Sequence, residues 1–139
     1  MNILVIDAQG GGIGRQLVAK LIERIPEADI VAAGTNSMAT NAMIKAGAKK
    51  AATGENAIRY CASQAEIITG PIGILVANAM LGEISPAIAE SVGSSTAPKV
   101  LIPTAHCNTI IAGTKALPVK DCIEDAVDRI VRIHGGEDN

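Results

Sequence analysis

Apolar and polar positions follow two rhythms along the chain. Ile3, Leu4, Val5 and Ile6 form a continuous apolar run, the pattern of a strand buried on both faces. After a glycine cluster the rhythm turns helical. Ile13, Leu17, Val18, Leu21, Ile22 and Ile25 share one stripe, with Arg15, Lys20, Glu23 and Arg24 mostly outside it, and Pro26 ends the helix. Residues 30–33 read as a second strand. Asn36 or Ser37 caps a second helix with Met38, Ala39, Ala42, Met43 and Ala46 inward, and Gly47 closes it. Ala51 and Ala52 mark a short strand, residues 53–56 a turn, and a short helix runs through Ala62. Glu66, Ile67 and Ile68 read as a strand closed by Thr69, Gly70 and Pro71. Residues 72–80 fit either a strand or a helix, since Pro71 suits a turn or a first helical position. Ser85 caps a helix with Pro86 at its first position. Residues 100–102 give another strand and Thr109 to Ala112 an edge strand. Pro118 opens a last amphipathic helix with Val119, Ile123, Ala126, Val127, Ile130 and Ile133 on one face, ended by Gly135 and Gly136.

Strands alternating with helices predict an α/β fold: one three-layer domain over residues 1–139 with a mostly parallel sheet, and a loose polar tail from about 135. Composition narrows the possible functions. Twelve Lys and Arg stand against 14 Asp and Glu, a net charge of −2. So near-neutral a balance argues against nucleic acid and against an anionic membrane surface. With one Tyr and no Phe or Trp, stacking platforms and aromatic cages are nearly excluded. The three cysteines, Cys61, Cys107 and Cys122, make no CxxC pair, and no His, Cys, Asp or Glu grouping has metal-ligand spacing. Neither a basic leader segment nor an 18-residue apolar run is present, which predicts a cytoplasmic protein without a membrane span. A mean hydropathy of +0.32 fits a homo-oligomer with one apolar face buried against another copy, and equally a well-filled core.

Asp7, Ala8, Gln9, Gly10, Gly11, Gly12, Ile13 and Gly14 join the first strand to the first helix. Four glycines in five positions exceed what a turn needs, because each costs backbone entropy on folding. Backbone N–H groups at such a turn can point at an anion, which the helix dipole favours. The segment resembles the glycine turn of nicotinamide-cofactor Rossmann proteins over roughly the first 35 residues. Gly11 and Gly14 match the second and third glycines of GxGxxG, while Gln9 stands at the first. That likeness implies a Rossmann-like domain with NAD or NADP as first guess and its phosphates on Gly10 to Gly14. The acid expected at the end of the second strand, for a ribose, is missing; Thr35, Asn36 and Ser37 stand there instead. A P-loop reading lacks its Lys followed by Ser or Thr, since Arg15 and Gln16 occupy those positions.

Ligands of open parallel sheets sit beyond the carboxyl ends of the strands. The loops there hold Asp7, Gln9 and the glycines, then Thr35, Asn36 and Ser37, then Thr69, Gly70 and Pro71, then residues 103–108. They are rich in small hydrogen-bonding groups, which suits a phosphate-bearing small molecule and equally ordinary turn chemistry. His106 and Cys107 are the only catalytic candidates, His106 as a proton donor. Adjacent side chains diverge, so a nucleophilic pair is awkward. Glu83 has no assignable partner.

Taken with Gly34 to Asn36, Ala52 to Ala57 and Gly70 to Gly73, the glycine segment is similar to a family of small bacterial proteins of unknown function over nearly the full chain. That resemblance implies the fold and carries no activity. The reading is a cytoplasmic nucleotide- or dinucleotide-binding protein, possible as a small oxidoreductase. The alternative is a non-enzymatic ligand-sensing or regulatory subunit acting through a protein partner.

Overall fold

The computed structural model describes residues 1–104, 109–115 and 117–137. Among the described residues five strands are present: β1 (Asn2–Asp7), β2 (Asp29–Gly34), β3 (Lys50–Thr53), β4 (Ile67–Pro71) and β5 (Lys99–Ile102). Five helices join or follow them: α1 (Gly12–Arg24), α2 (Ser37–Lys45), α3 (Glu55–Gln64), α4 (Pro86–Ser94) and α5 (Val119–His134). Every strand pair is parallel, in the order β3-β2-β1-β4-β5. The expected three-layer α/β fold is therefore the observed one.

Period-two alternation divides the sheet between two cores. Ile3, Val5, Ile30, Ala32 and Ile67 point to the face covered by α1, α2 and α5, where they meet Leu17, Leu21, Met43, Ile123 and Ile130. Leu4, Ile6, Ala33 and Ile68 point to the other face, covered by α3 and α4, and meet Ile58, Ile84, Ile88 and Val92. A parallel sheet needs apolar residues on both faces, which is why β1 reads as an unbroken apolar run. Fully burying each such aliphatic side chain contributes about 1.5–3 kcal/mol.

The caps follow the sequence. Asn36 is the N-cap of α2 and accepts the Ala39 N–H at 2.9 Å; Ser85 caps α4 by accepting the Ile88 N–H at 3.2 Å. Pro86 occupies the first turn of α4, where its missing N–H costs nothing.

Three expectations fail. Met38 is 69% exposed rather than inward, because capping at Asn36 sets the buried stripe of α2 on Ala39, Thr40 and Met43. Thr109 to Ala112 form no strand, and Ile110 is 95% exposed. Residues 72–80 form no strand and no α-helix. A short 3-10 turn, Ile72–Leu75, leads into a run of tight turns.

The strand order fixes where a ligand would lie. From β1 the chain builds outward through β2 and β3, then returns to the other side of β1 for β4 and β5. The order thus reverses between β1 and β4, and a crevice opens beyond their carboxyl ends.

Candidate functional site at the strand-order reversal

The four glycines of the first loop serve two different purposes. Gly11 has φ 72°, and a Cβ there would lie 2.9 Å from the backbone of Ala39. A Cβ on Gly14 would lie 2.7 Å from the Met43 sulfur and 2.9 Å from Asp7. These two glycines let α1 pack closely against α2 and β1. Gly10 and Gly12 are different. Neither has a positive φ, and a Cβ on either would meet nothing within 4 Å. No packing or backbone requirement of the fold explains glycine at those two positions. Their N–H groups also have no acceptor among the described residues.

Other donors of the loop are already satisfied. Asp7 is buried at the end of β1, and its carboxylate accepts the Ala8 N–H at 2.8 Å and the Gly14 N–H at 2.7 Å. Burial pushes the Asp7 carboxyl above the usual range; hydrogen bonds from the Gly14, Ala8 and Ile13 backbone oppose this, and the negative charge of Glu83 adds to it. Gly11 donates to the Ala8 carbonyl at 3.0 Å.

Glu83 is the residue that sequence reasoning missed. It is carried by residues 76–84, between β4 and α4, and reaches across to the ends of β1 and β2. One oxygen, Oε1, accepts from the Gln9 N–H at 2.9 Å, the Thr35 hydroxyl at 2.6 Å and the Asn36 side-chain amide at 2.9 Å. The Asn36 amide also donates to the Gln9 carbonyl at 3.0 Å. Burial alone would raise Glu83, but the bonds from Thr35, Gln9 and Asn36 outweigh it and hold the carboxyl below the usual range. An acid does stand at the end of β2, but it comes from a segment 47 residues further on than Asn36. The clasp holds a strained loop: Asn78, Met80 and Leu81 have φ of 67°, 58° and 58° without being glycine.

A cleft of about 320 Å³ opens between these parts. Asp7, Gln9, Gly10, Gly11, Gly12 and Ile13 form one wall, and Pro71, Met80, Thr104 and Val119 face them. Pro71 is thus brought to the glycine loop. Thr69 and Gly70 are buried inside β4, and a Cβ on Gly70 would lie 2.2 Å from the Ile6 carbonyl oxygen. Thr35 and Asn36 turn to Glu83. Ser37 instead lines a second hollow of about 540 Å³ with Gly10, Arg15, Met38, Asn41, Ala42 and Lys45. His106 and Cys107 lie outside the described residues. Among the described residues no three His, Cys, Asp or Glu side chains group to hold a metal ion, and no helix is long and apolar enough to cross a membrane.

No curated protein matches the chain. Among solved structures, a dodecameric FMN-dependent UbiX-like decarboxylase from Escherichia coli O157:H7 aligns over 100% of this chain and 97% of its own, with a TM-score of 0.52 and 16% identity. At that identity the likeness shows the fold alone. A family model described as a domain of unknown function, DUF3842, matches residues 2–135, and the chain belongs to that family.

Proposed function

We propose that this protein binds a phosphate-bearing, nucleotide-like small molecule in the cleft between β1 and β4, with a flavin mononucleotide as its first candidate. The single observation that carries this reading is the pair Gly10 and Gly12. Both are glycines that the fold does not require, both present a free N–H, and both line the cleft at the strand-order reversal. Such a surface lets a phosphate come up to the backbone beside the N-terminus of α1. Ile13, Pro71, Met80 and Val119 supply apolar walls for a ring. The aligned decarboxylase uses FMN, which supports flavin as the first probe.

NAD or NADP is the second reading. It is favoured by Gly14, which packs α1 on β1 in the manner of the third fingerprint glycine. Two carboxylates weigh against it. Asp7 takes the Gly14 N–H and Glu83 takes the Gln9 N–H, which leaves the Gly10 and Gly12 donors, enough for one phosphate group but not for a diphosphate.

The protein also assembles with copies of itself in the cytoplasm. Ile110, Leu117 and Val119 expose apolar surface near the edge strand β5, and the aligned decarboxylase is a dodecamer. A ligand sensor without turnover fits the same cleft, and a small oxidoreductase would need its acid from His106 or another group.

Titration of FMN against the protein, read by quenching of flavin fluorescence, tests the reading. Saturable quenching in the wild type and its loss in Gly12→Val is the expected result. A Cβ at position 12 meets nothing within 4 Å, and the melting temperature reports independently whether the variant is folded. Absence of saturable binding by FMN, NAD or NADP would overturn it.

A further inference from the structure

We infer that the hollow beside α2 is a phosphomonoester subsite, with Arg15 and Lys45 as its cations and Gly10 as the wall it shares with the ligand cleft. This deepens the reading above and rests on it.

Arg15 follows the glycine loop on α1. Met38, Asn41 and Lys45 lie at spacings of three and four along α2 and so share one face of it. The close approach of the two helices at Gly11 brings Arg15 to that face, and the two cations line the same hollow of about 540 Å³. No acid lines it. Among the described residues neither Arg15 nor Lys45 has an ion pair. The two acids of the neighbouring loop are committed: Asp7 is turned into the loop and Glu83 is held on Gln9, Thr35 and Asn36. In a chain of net charge −2, two cations from different helices facing one hollow that no acid lines define a local anion preference.

Gly10 ties the hollow to the cleft, because it lines both. Ser37 and Asn41 add uncharged donors. A terminal phosphate carries two charges and three acceptor oxygens, which an arginine fork and a lysine ammonium match. Neutral ribose or amide groups would leave both cations unused.

Two ligand pairs probe this chemistry, since each differs by one phosphomonoester: FMN against riboflavin, whose one phosphate also meets the glycine loop at Gly10, and NADP against NAD, whose extra phosphate is separate from the diphosphate. Affinity for all four is measured with the wild type and with the double variant Arg15→Ala, Lys45→Ala. The charge-keeping Arg15→Lys, Lys45→Arg serves as control. The expected result is that the wild type prefers the phosphorylated member of one pair by roughly tenfold or more. That preference falls several-fold in the alanine variant, to near unity where the pair is NADP and NAD, and is largely kept in the control, and the pair that shows it identifies the source of the phosphate. A preference undiminished in the alanine variant overturns the subsite but leaves the cleft reading intact. A wild type that binds without any preference overturns the subsite in the same way. If the wild type binds none of the four, the cleft reading fails, and inorganic phosphate then decides the subsite. Amide shifts at Gly10 and Ser37 that vanish in the alanine variant support it, and their absence from the wild type overturns it.

Discussion

Thr69 and Leu81 show how single side chains sit against the physics of their surroundings. The Thr69 hydroxyl is fully buried in β4 without a hydrogen-bond partner, flanked in register by Val5 and Val100. Thr69→Val keeps the shape and removes an unsatisfied polar group, so chemical denaturation should show a gain of about 1 kcal/mol. Leu81 is 100% exposed at φ 58°. Leu81→Gly loses no packing, relieves about 1–2 kcal/mol of left-handed strain and costs about 0.5–1 kcal/mol of backbone entropy. The variant should be slightly more stable than the wild type, and a loss of stability would show that the loop is not strained.

The two carboxylates of the site titrate in opposite directions. Asp7 is raised in the folded protein, so the native state holds that proton more tightly than the unfolded chain. Its contribution is full below the ordinary value of 3.8 and is lost as pH rises through the raised value. Glu83 is lowered, so its contribution is present above its ordinary value of 4.5 and is lost as pH falls through the lowered one. Asp7→Asn should therefore remove the decline in stability that sets in above about pH 4. Glu83→Gln should instead flatten the acid limb. Urea melts from pH 3 to 8 check both, and a Glu83→Gln curve that parallels the wild type would show that the clasp adds nothing.

Among the elements, those governed by a strong period or a cap can be read from the chain. Ile3 to Ile6 and the stripe from Ile123 to Ile130 follow burial alone, and Asn36, Ser85 and Pro86 follow backbone satisfaction at helix ends. Residues 76–84 defy reading because their conformation is imposed from outside. Consecutive left-handed residues contradict local preference, and the Glu83 clasp that holds them joins positions 47 and 74 residues apart. Thr109 to Ala112 mislead for the opposite reason: β-branched apolar residues suit a strand, but no strand pairs with them. The candidate site is split in the same way. The glycine cluster stands out in sequence, but only geometry separates Gly11 and Gly14, which pack, from Gly10 and Gly12, which do not.

Across the assembled fold, strand order, loop and charge point to one edge. The sheet reverses order between β1 and β4, the open glycines line the crevice there, and Arg15 and Lys45 line the hollow that shares Gly10 with it. The opposite requirement, that apolar surface be covered, falls near β5. Ile110 and Leu117 are 95% and 57% exposed, so light scattering should give a mass that is a multiple of 14.2 kDa. Ile110→Asp with Leu117→Asp should then yield the monomer, while a monomeric wild type would refute assembly through this surface.

The most decisive measurement is calorimetric titration of FMN into the wild type and into Gly12→Ala, with thermal melts of both. At the first helical position alanine should raise stability by about 0.5–1 kcal/mol, because it is a better helix former and less flexible when unfolded. The same methyl group should obstruct a phosphate at the loop. Greater stability together with weaker FMN binding is the expected result. Unchanged FMN affinity in Gly12→Ala, or no binding to the wild type, would contradict a ligand seated on Gly10 and Gly12.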